Sequence, residues 1–303
     1  MSKPAKYVLC IPLDGINDML GSISRCWDYC ERFNRILIVD TNSGSFCHHF
    51  DAYFQPIEDN GRVFFRLDSN LKDRLKDLSV FPSQLQGRIF SHTRVARDGF
   101  WRDELTNTPL LFNPDAKVDY KEDVLLYEQG YGSGDAIGAL KRMKFSESIK
   151  KIINERLHQV KTPYSSIHIR YSDIKTNFKE LLVEIKEELK DKNVLISSDS
   201  LDVRNFAINF LNSSYVFTVT DIPNVNGGAL HSPQTFKNFN LDPFFMNTNA
   251  IVDLVALSGG SKLYFSQTAF RNDGVSVRPK PSGFSTLANA LNKNQNVIHN
   301  LLL

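Results

Sequence analysis

The 303-residue chain is poor in several things, and each shortage removes a class of protein. Cysteines number four, Cys10, Cys26, Cys30 and Cys47, all in the first 47 residues. No disulfide framework is needed at this length, and the sparse set suits a reducing compartment. Cys26 and Cys30, four apart, share a helix face; a redox or metal pair is one reading and packing as small hydrophobes is the other. Cys47-His48-His49 lacks a second ligand pair at zinc spacing, so no metal site is expected. Charge of one sign is also missing. Thirty-six basic residues face 34 acidic ones, for a net +2, which excludes the basic stripe of a nucleic-acid-binding protein and makes any anion site local. Long apolar runs are absent too. Tyr7–Leu13 is strand length, and nothing approaches the ~20 apolar residues of a membrane span. The expectation is a cytoplasmic protein without a transmembrane segment, with peripheral association at an inner membrane surface left open.

What remains is α/β patterning over a length suited to two domains. Residues 6–12 read as a buried strand and Asp14-Gly15 as a turn. Apolar residues at 16, 19, 20, 23, 26, 27, 30 and 33 then stripe one face of a helix. Ile36–Val39 is wholly apolar, as an internal parallel strand requires. Residues 41–125 predict loops, short strands and short helices without a definable topology. Val124–Tyr127 predicts a strand, followed by the glycine-rich segment 130–135 and a helix that includes Ile137, Leu140 and Met143. From Ser165 onward the alternation is regular. Strands are predicted at 165–169, 193–197, 215–219 and 262–265. Helices are predicted at 178–189, 201–211, 251–257 and 284–302, with a long polar loop over 222–247. That alternation means a doubly wound parallel sheet, with ligands beyond the carboxyl ends of its strands. The domains divide as 1–155 and 156–303, and the terminal helix is free to pack back on the first domain.

The candidate chemistry sits at strand ends. His168 and Arg170 lie on one face where strand 165–169 runs out, and an arginine there presents a planar fork of donors to a phosphate pair. Asp173 either orients that arginine or merely closes a loop with it. Asp199, after the next strand, suits a ribose or base contact, or a helix cap. Ser266, Gln267 and Thr268, after the last strand, offer hydroxyls and N–H groups for an anion cradle, most of all if a helix starts there; an ordinary capped turn is the other reading. Gly15, Asn17 and Asp18 open the first helix, where polar groups either face a cleft or complement the helix dipole. The Gly130–Gly134 loop is a weak dinucleotide fingerprint without the acidic strand end that should follow. His92, Arg94, Arg97 and Arg102, beside Trp101, form a basic segment that either touches phosphates or an acidic acceptor or is a solvated face.

Taken together these residues resemble the fucosyltransferase superfamily of GT-B type, which includes protein O-fucosyltransferases, α1,6-fucosyltransferases and nodulation fucosyltransferases. Gly15-Ile16-Asn17-Asp18 is similar to the family's N-terminal segment, and Met143-Lys144-Phe145-Ser146 to its lead-in to the second domain. His168-Ile169-Arg170-Tyr171-Ser172-Asp173 matches its His-x-Arg-x-x-Asp motif. Ser198-Asp199 and Ser266-Gln267-Thr268-Ala269-Phe270 resemble its second and third motifs. The resemblance implies a GT-B-like fold of two Rossmann-like domains with a central cleft. It implies inverting, metal-independent transfer of a sugar from a nucleotide-sugar donor, GDP-fucose first, to a glycan or lipid-linked glycan in bacterial surface polysaccharide synthesis. Arg170 would hold the diphosphate, Asp199 the nucleoside and Ser266 to Thr268 a phosphate. No cofactor beyond the donor is expected, and no nucleic-acid partner. The general base is expected to be Asp18, with Asp14 and His168 behind it. A different nucleotide sugar, or a non-catalytic nucleotide- or glycan-binding role, is the competing expectation.

Overall fold

A computed structural model describes residues 5–130, 135–212, 214–271, 275–276 and 278–303. The chain divides into two compact units, Met1–Ser146 and Glu147–Leu303.

The first unit is built on five parallel strands. They are β1 (Tyr7–Cys10), β2 (Ile36–Val39), β3 (Val63–Phe64), β4 (Val80–Phe81) and β5 (Val124–Tyr127), laid out in the order β3-β2-β1-β5-β4. β1 and β5 are buried at every position, which is why their sequences are continuous rather than alternating apolar runs. Helix α1 (Ile16–Phe33) follows β1 and buries the stripe its spacing predicts. It stops where Asn34 turns left-handed (φ 56°) and donates its N–H to Cys30 O. Leu9, Ile38 and Leu126 form the core with Leu71 and Leu75 of α2 (Ser69–Leu75), a helix started by Asp68, which accepts from Leu71 N.

The stretch 41–125 holds β3, α2, β4 and an antiparallel hairpin, Arg94–Arg97 against Phe100–Asp103. Its two-residue turn, Asp98-Gly99, has φ of 51° and 77°, the paired left-handed geometry of a type I′ hairpin that Asp-Gly favours. The helix expected around Met143 ends earlier. α3 covers Ala136–Leu140, and Met143–Phe145 is a short strand paired with Phe54–Pro56.

The second unit opens with α4 (Glu147–Leu157) and carries four parallel strands, β6 (Ser165–Ile169), β7 (Asn193–Ser198), β8 (Tyr215–Phe217) and β9 (Lys262–Phe265), in the order β8-β7-β6-β9. α5 (Phe178–Leu189) buries Leu182 and Ile185, and α6 (Leu201–Phe210) buries Val203 and Ala207, against Ile167, Val194 and Ile196. Two expectations are corrected. The long polar loop over 222–247 contains α7 (Pro233–Asn238) and the start of α8 (Pro243–Ser258). Asp242 accepts from Phe244 N and Pro243 occupies the first turn, a start signal that outweighs the polar composition. The single terminal helix is two, α9 (Gly283–Asn292) and α10 (Gln295–Leu302), separated at Lys293-Asn294.

In each sheet the strand order reverses beside the first strand, between β1 and β5 and between β6 and β9. Diverging connections leave a crevice at the carboxyl ends there. No described helix is long and apolar enough to cross a membrane.

Candidate functional site

Arg170 emerges from β6 at the β6/β9 reversal. Its guanidinium is paired with Asp173, and its Nη1 lies 3.1 Å from Asp199 Oδ2. Asp199, just past β7, also accepts from the backbone N–H groups of Tyr171 (2.6 Å) and Ser172 (3.1 Å) and from the Ser172 hydroxyl (2.6 Å). One carboxylate therefore fixes both the loop and the arginine on it. Thr176 Oγ1 donates to Arg170 O at 2.7 Å. Lys175 Nζ donates to Tyr171 O and Ser172 O at 2.9 Å each and sits 4.4 Å from the Tyr171 ring centroid. Burial would raise the Asp173 carboxyl, but Arg170 and His231 hold it below the usual carboxylate range. The Arg170 side chain is 15% exposed, and its two carboxylate contacts leave most of its five N–H donors for a ligand.

His168 and the 266–268 segment differ from expectation. His168 is buried, with Nδ1 2.7 Å from Ser285 Oγ of α9 and its ring against Phe284. Burial lowers its pKa to about 4, so it is a neutral, enclosed support for the strand that carries Arg170 and is not exposed to accept a substrate proton. The three N–H groups expected to cradle an anion are already used. Ser266 N donates to His168 O (3.2 Å), Gln267 N to Asn177 Oδ1 (3.0 Å) and Thr268 N to Lys280 O (2.9 Å). No helix begins there. Thr268 opens a strand, Thr268–Arg271, antiparallel to Ile174–Thr176, and its hydroxyl bonds Arg278 O. What remains is the Ser266 hydroxyl, buried at the reversal and without a hydrogen-bond partner among the described residues. A buried orphan hydroxyl costs free energy that a ligand atom can recover.

The sequence reading missed Asp253, which α8 carries into the interior. Its carboxylate accepts from Ser197 Oγ (2.7 Å) and Thr220 Oγ1 (2.8 Å), and burial pushes its pKa up to about 6. Only an acidic residue amid the apolar run Ile251–Leu257 could have signalled it.

At the β1/β5 reversal the groups are different. Asp14 has φ 68°, a left-handed conformation that Asp tolerates better than most residues. Its N–H donates to Ser45 Oγ at 2.9 Å. A Cβ on Gly130 would overlap the Asp14 carboxylate, so these two positions abut at the carboxyl ends of β1 and β5. Gly15 is the extended N-cap of α1 with open space around its Cα; nothing there demands glycine. Asn17 and Asp18 lie half-buried in the first turn. Residues 131–134 of the glycine-rich loop fall outside the described residues.

The basic segment is built into the fold. Buried Glu128 holds His92 Nε2 at 2.5 Å and Arg94, while the Gln129 amide exchanges two hydrogen bonds with the Trp101 backbone (2.9 and 2.8 Å). Burial disfavours the charged His92 ring, but Glu128 outweighs it and raises the pKa. Arg97 and Arg102 bond Asn107.

Two units, each with a parallel sheet that reverses beside its first strand, define a GT-B-like α/β protein. No protein-family model matches the chain, and no curated protein does. Solved structures do. Fucosyltransferase NodZ from Bradyrhizobium superimposes with a TM-score of 0.58 at 15% identity, over 94% of this chain and 92% of that one. NodZ α-1,6-fucosyltransferase co-crystallized with GDP gives 0.60 at 16% identity, over 95% and 92%. A variant of Arabidopsis thaliana FUT1 in complex with GDP gives 0.51 at 12%, over 96% and 69%. The fold is that of the GT-B-type fucosyltransferases.

Proposed function

We propose that the protein is a glycosyltransferase that takes a sugar, fucose first, from a GDP-linked donor and places it on a glycan or lipid-linked glycan acceptor. The reading rests on one observation above all. A guanidinium with donors to spare stands at the sheet reversal of the second unit, held in place by two carboxylates. The GDP complexes of structures with this fold support the choice of nucleotide.

In the reaction an acceptor oxygen attacks the anomeric carbon. The bond from that carbon to the diphosphate breaks and its electron pair passes to the phosphate oxygen. In this reading Arg170 meets that charge, helped by Lys175 and the Ser266 hydroxyl, and fixed donors aimed at developing charge are the largest catalytic contribution in such sites. Asp173 and Asp199 serve Arg170, since their oxygens are engaged with the loop. The acceptor proton goes to a carboxylate, and Asp14 is a better candidate than Asp18 or His168, because it stands at the β1/β5 reversal in a strained conformation while His168 is enclosed. Direct attack inverts the anomeric centre. The reading needs no cofactor, because Arg170 and Lys175 supply the positive charge. A place in bacterial surface polysaccharide synthesis, on the cytoplasmic side of a membrane, completes the proposal.

Calorimetric titration of GDP and GDP-fucose into the wild type and Arg170→Ala tests it. Binding by the wild type with at least about tenfold loss in the variant, about 1.4 kcal/mol, is expected. Failure of the wild type to bind either ligand would refute the GDP reading and direct the search to UDP, CMP and ADP sugars.

A further inference from the structure

The first unit contains a cavity of about 250 Å³ between the tip of the 94–103 hairpin and the carboxyl end of β5. Arg25, Phe100, Leu111, Asn113, Tyr127 and Gly130 line it. Drug-sized ligands fill ~300–1,000 Å³, so this space suits a single ring.

Three observations define what ring it takes. First, Phe100 is 46% exposed although it sits on an ordered element. Its neighbour Trp101 is bonded through both backbone polar groups to Gln129, and Glu128 grips the hairpin base through His92 and Arg94. An exposed aromatic on a clamped support is a preorganised platform rather than a mobile side chain. Second, the polar lining is planar and rich in donors, a guanidinium and an amide. That combination of a flat apolar face and edge-directed hydrogen bonds matches a pyranose, whose C–H face stacks on aromatics while its hydroxyls point outward. Third, the Arg25 charge is already matched by Asp115 at 2.5 Å, which removes the attraction an anionic ligand would need. Gly130, on the cavity wall, packs against the Asp14 carboxylate.

We propose that this cavity binds one neutral glycosyl residue, stacked on Phe100. Its role as the acceptor subsite rests on the glycosyltransferase reading; the binding itself does not, and it is measured without donor or turnover.

The chain has two tryptophans, Trp27 and Trp101, so 5-fluorotryptophan labelling gives a local reporter. Methyl hexopyranosides and the corresponding methyl uronates, titrated to about 50 mM to reach weak single-site affinities, should show saturable binding of at least one neutral glycoside. The Trp101 signal moves and the Trp27 signal does not. Phe100→Ala should weaken that glycoside at least fivefold, Phe100→Tyr should retain it, and GDP affinity should stay within twofold in both variants. No Trp101 response to any glycoside overturns the proposal, as do unchanged affinity in Phe100→Ala and tighter binding of the uronates. Loss of GDP binding in the wild type would count against the donor reading alone.

Discussion

The two sheets start from one plan and are fitted with opposite charges. Both are parallel, both reverse beside their first strand, and both place their polar residues at the crevice that results. At the β6/β9 reversal the principal group is a cation, Arg170, stabilised by carboxylates behind it. At the β1/β5 reversal it is an anion, Asp14, set against a glycine, while Arg94 of the neighbouring hairpin is spent on Glu128. Scaffold geometry therefore says where a ligand lies, and the few residues after each strand say which end of a reaction it serves. A phosphate leaving group needs the cationic arrangement, and a hydroxyl about to lose its proton needs the anionic one.

That division can be attacked in three ways. Asp14→Asn, which preserves tolerance of the left-handed backbone, should lower kcat by about 10²–10⁴, the usual worth of a general base, with GDP affinity unchanged in calorimetry. Equal losses in kcat and GDP affinity would show that the two crevices do not divide the labour. Gly130→Ala should reduce kcat by about 10² by displacing the Asp14 carboxylate, while the thermal midpoint moves little because the displaced atoms end a flexible side chain. Measured in the Asp14→Asn background the same change should add almost nothing, since residues in contact are not additive. The smallest effect concerns titration in the second unit. Folding raises Asp253 from 3.8 to about 6, so its contribution to stability is full below pH 3.8 and is lost as pH rises to about 6. Folding lowers His168 from 6.5 to about 4, so its contribution is full above 6.5 and is lost as pH falls towards 4. Across pH 4–6 the two oppose each other. Asp253→Asn should remove one side, leaving a stability that declines by up to ~3 kcal/mol between pH 6.5 and 4, read from urea denaturation at each pH. An unchanged pH profile would rule out this opposition.

Much of this was legible in the sequence because parallel strands are buried on both faces. Ile36–Val39 and Val124–Tyr127 fall where continuous apolar runs put them, Ser165–Ile169 and Lys262–Phe265 where the strand–helix alternation puts them, and α1 and α5 bury most of their stripes, with Phe33 and Leu181 only half-buried. Elements held by tertiary bonds were harder to read. The hairpin carries arginines outward and is secured by Glu128 and Gln129 from a distant strand, so only its Asp98-Gly99 turn was visible locally. α8 begins in polar sequence, signalled solely by Asp242-Pro243. At the site, Arg170 and its two carboxylates sit together as their spacing suggests. The N–H groups of Ser266, Gln267 and Thr268 are taken by partners up to 98 positions away, Ser266 N reaching His168 O, and no local pattern encodes that.

An arginine held between two carboxylates also has a consequence for turnover. Its rotamer is fixed before ligand arrives, so little side-chain entropy remains to be lost. With Lys175 beside it, the loop sets two positive groups against two negative ones. In the proposed reaction such a loop would meet the growing phosphate charge with its donor already in position.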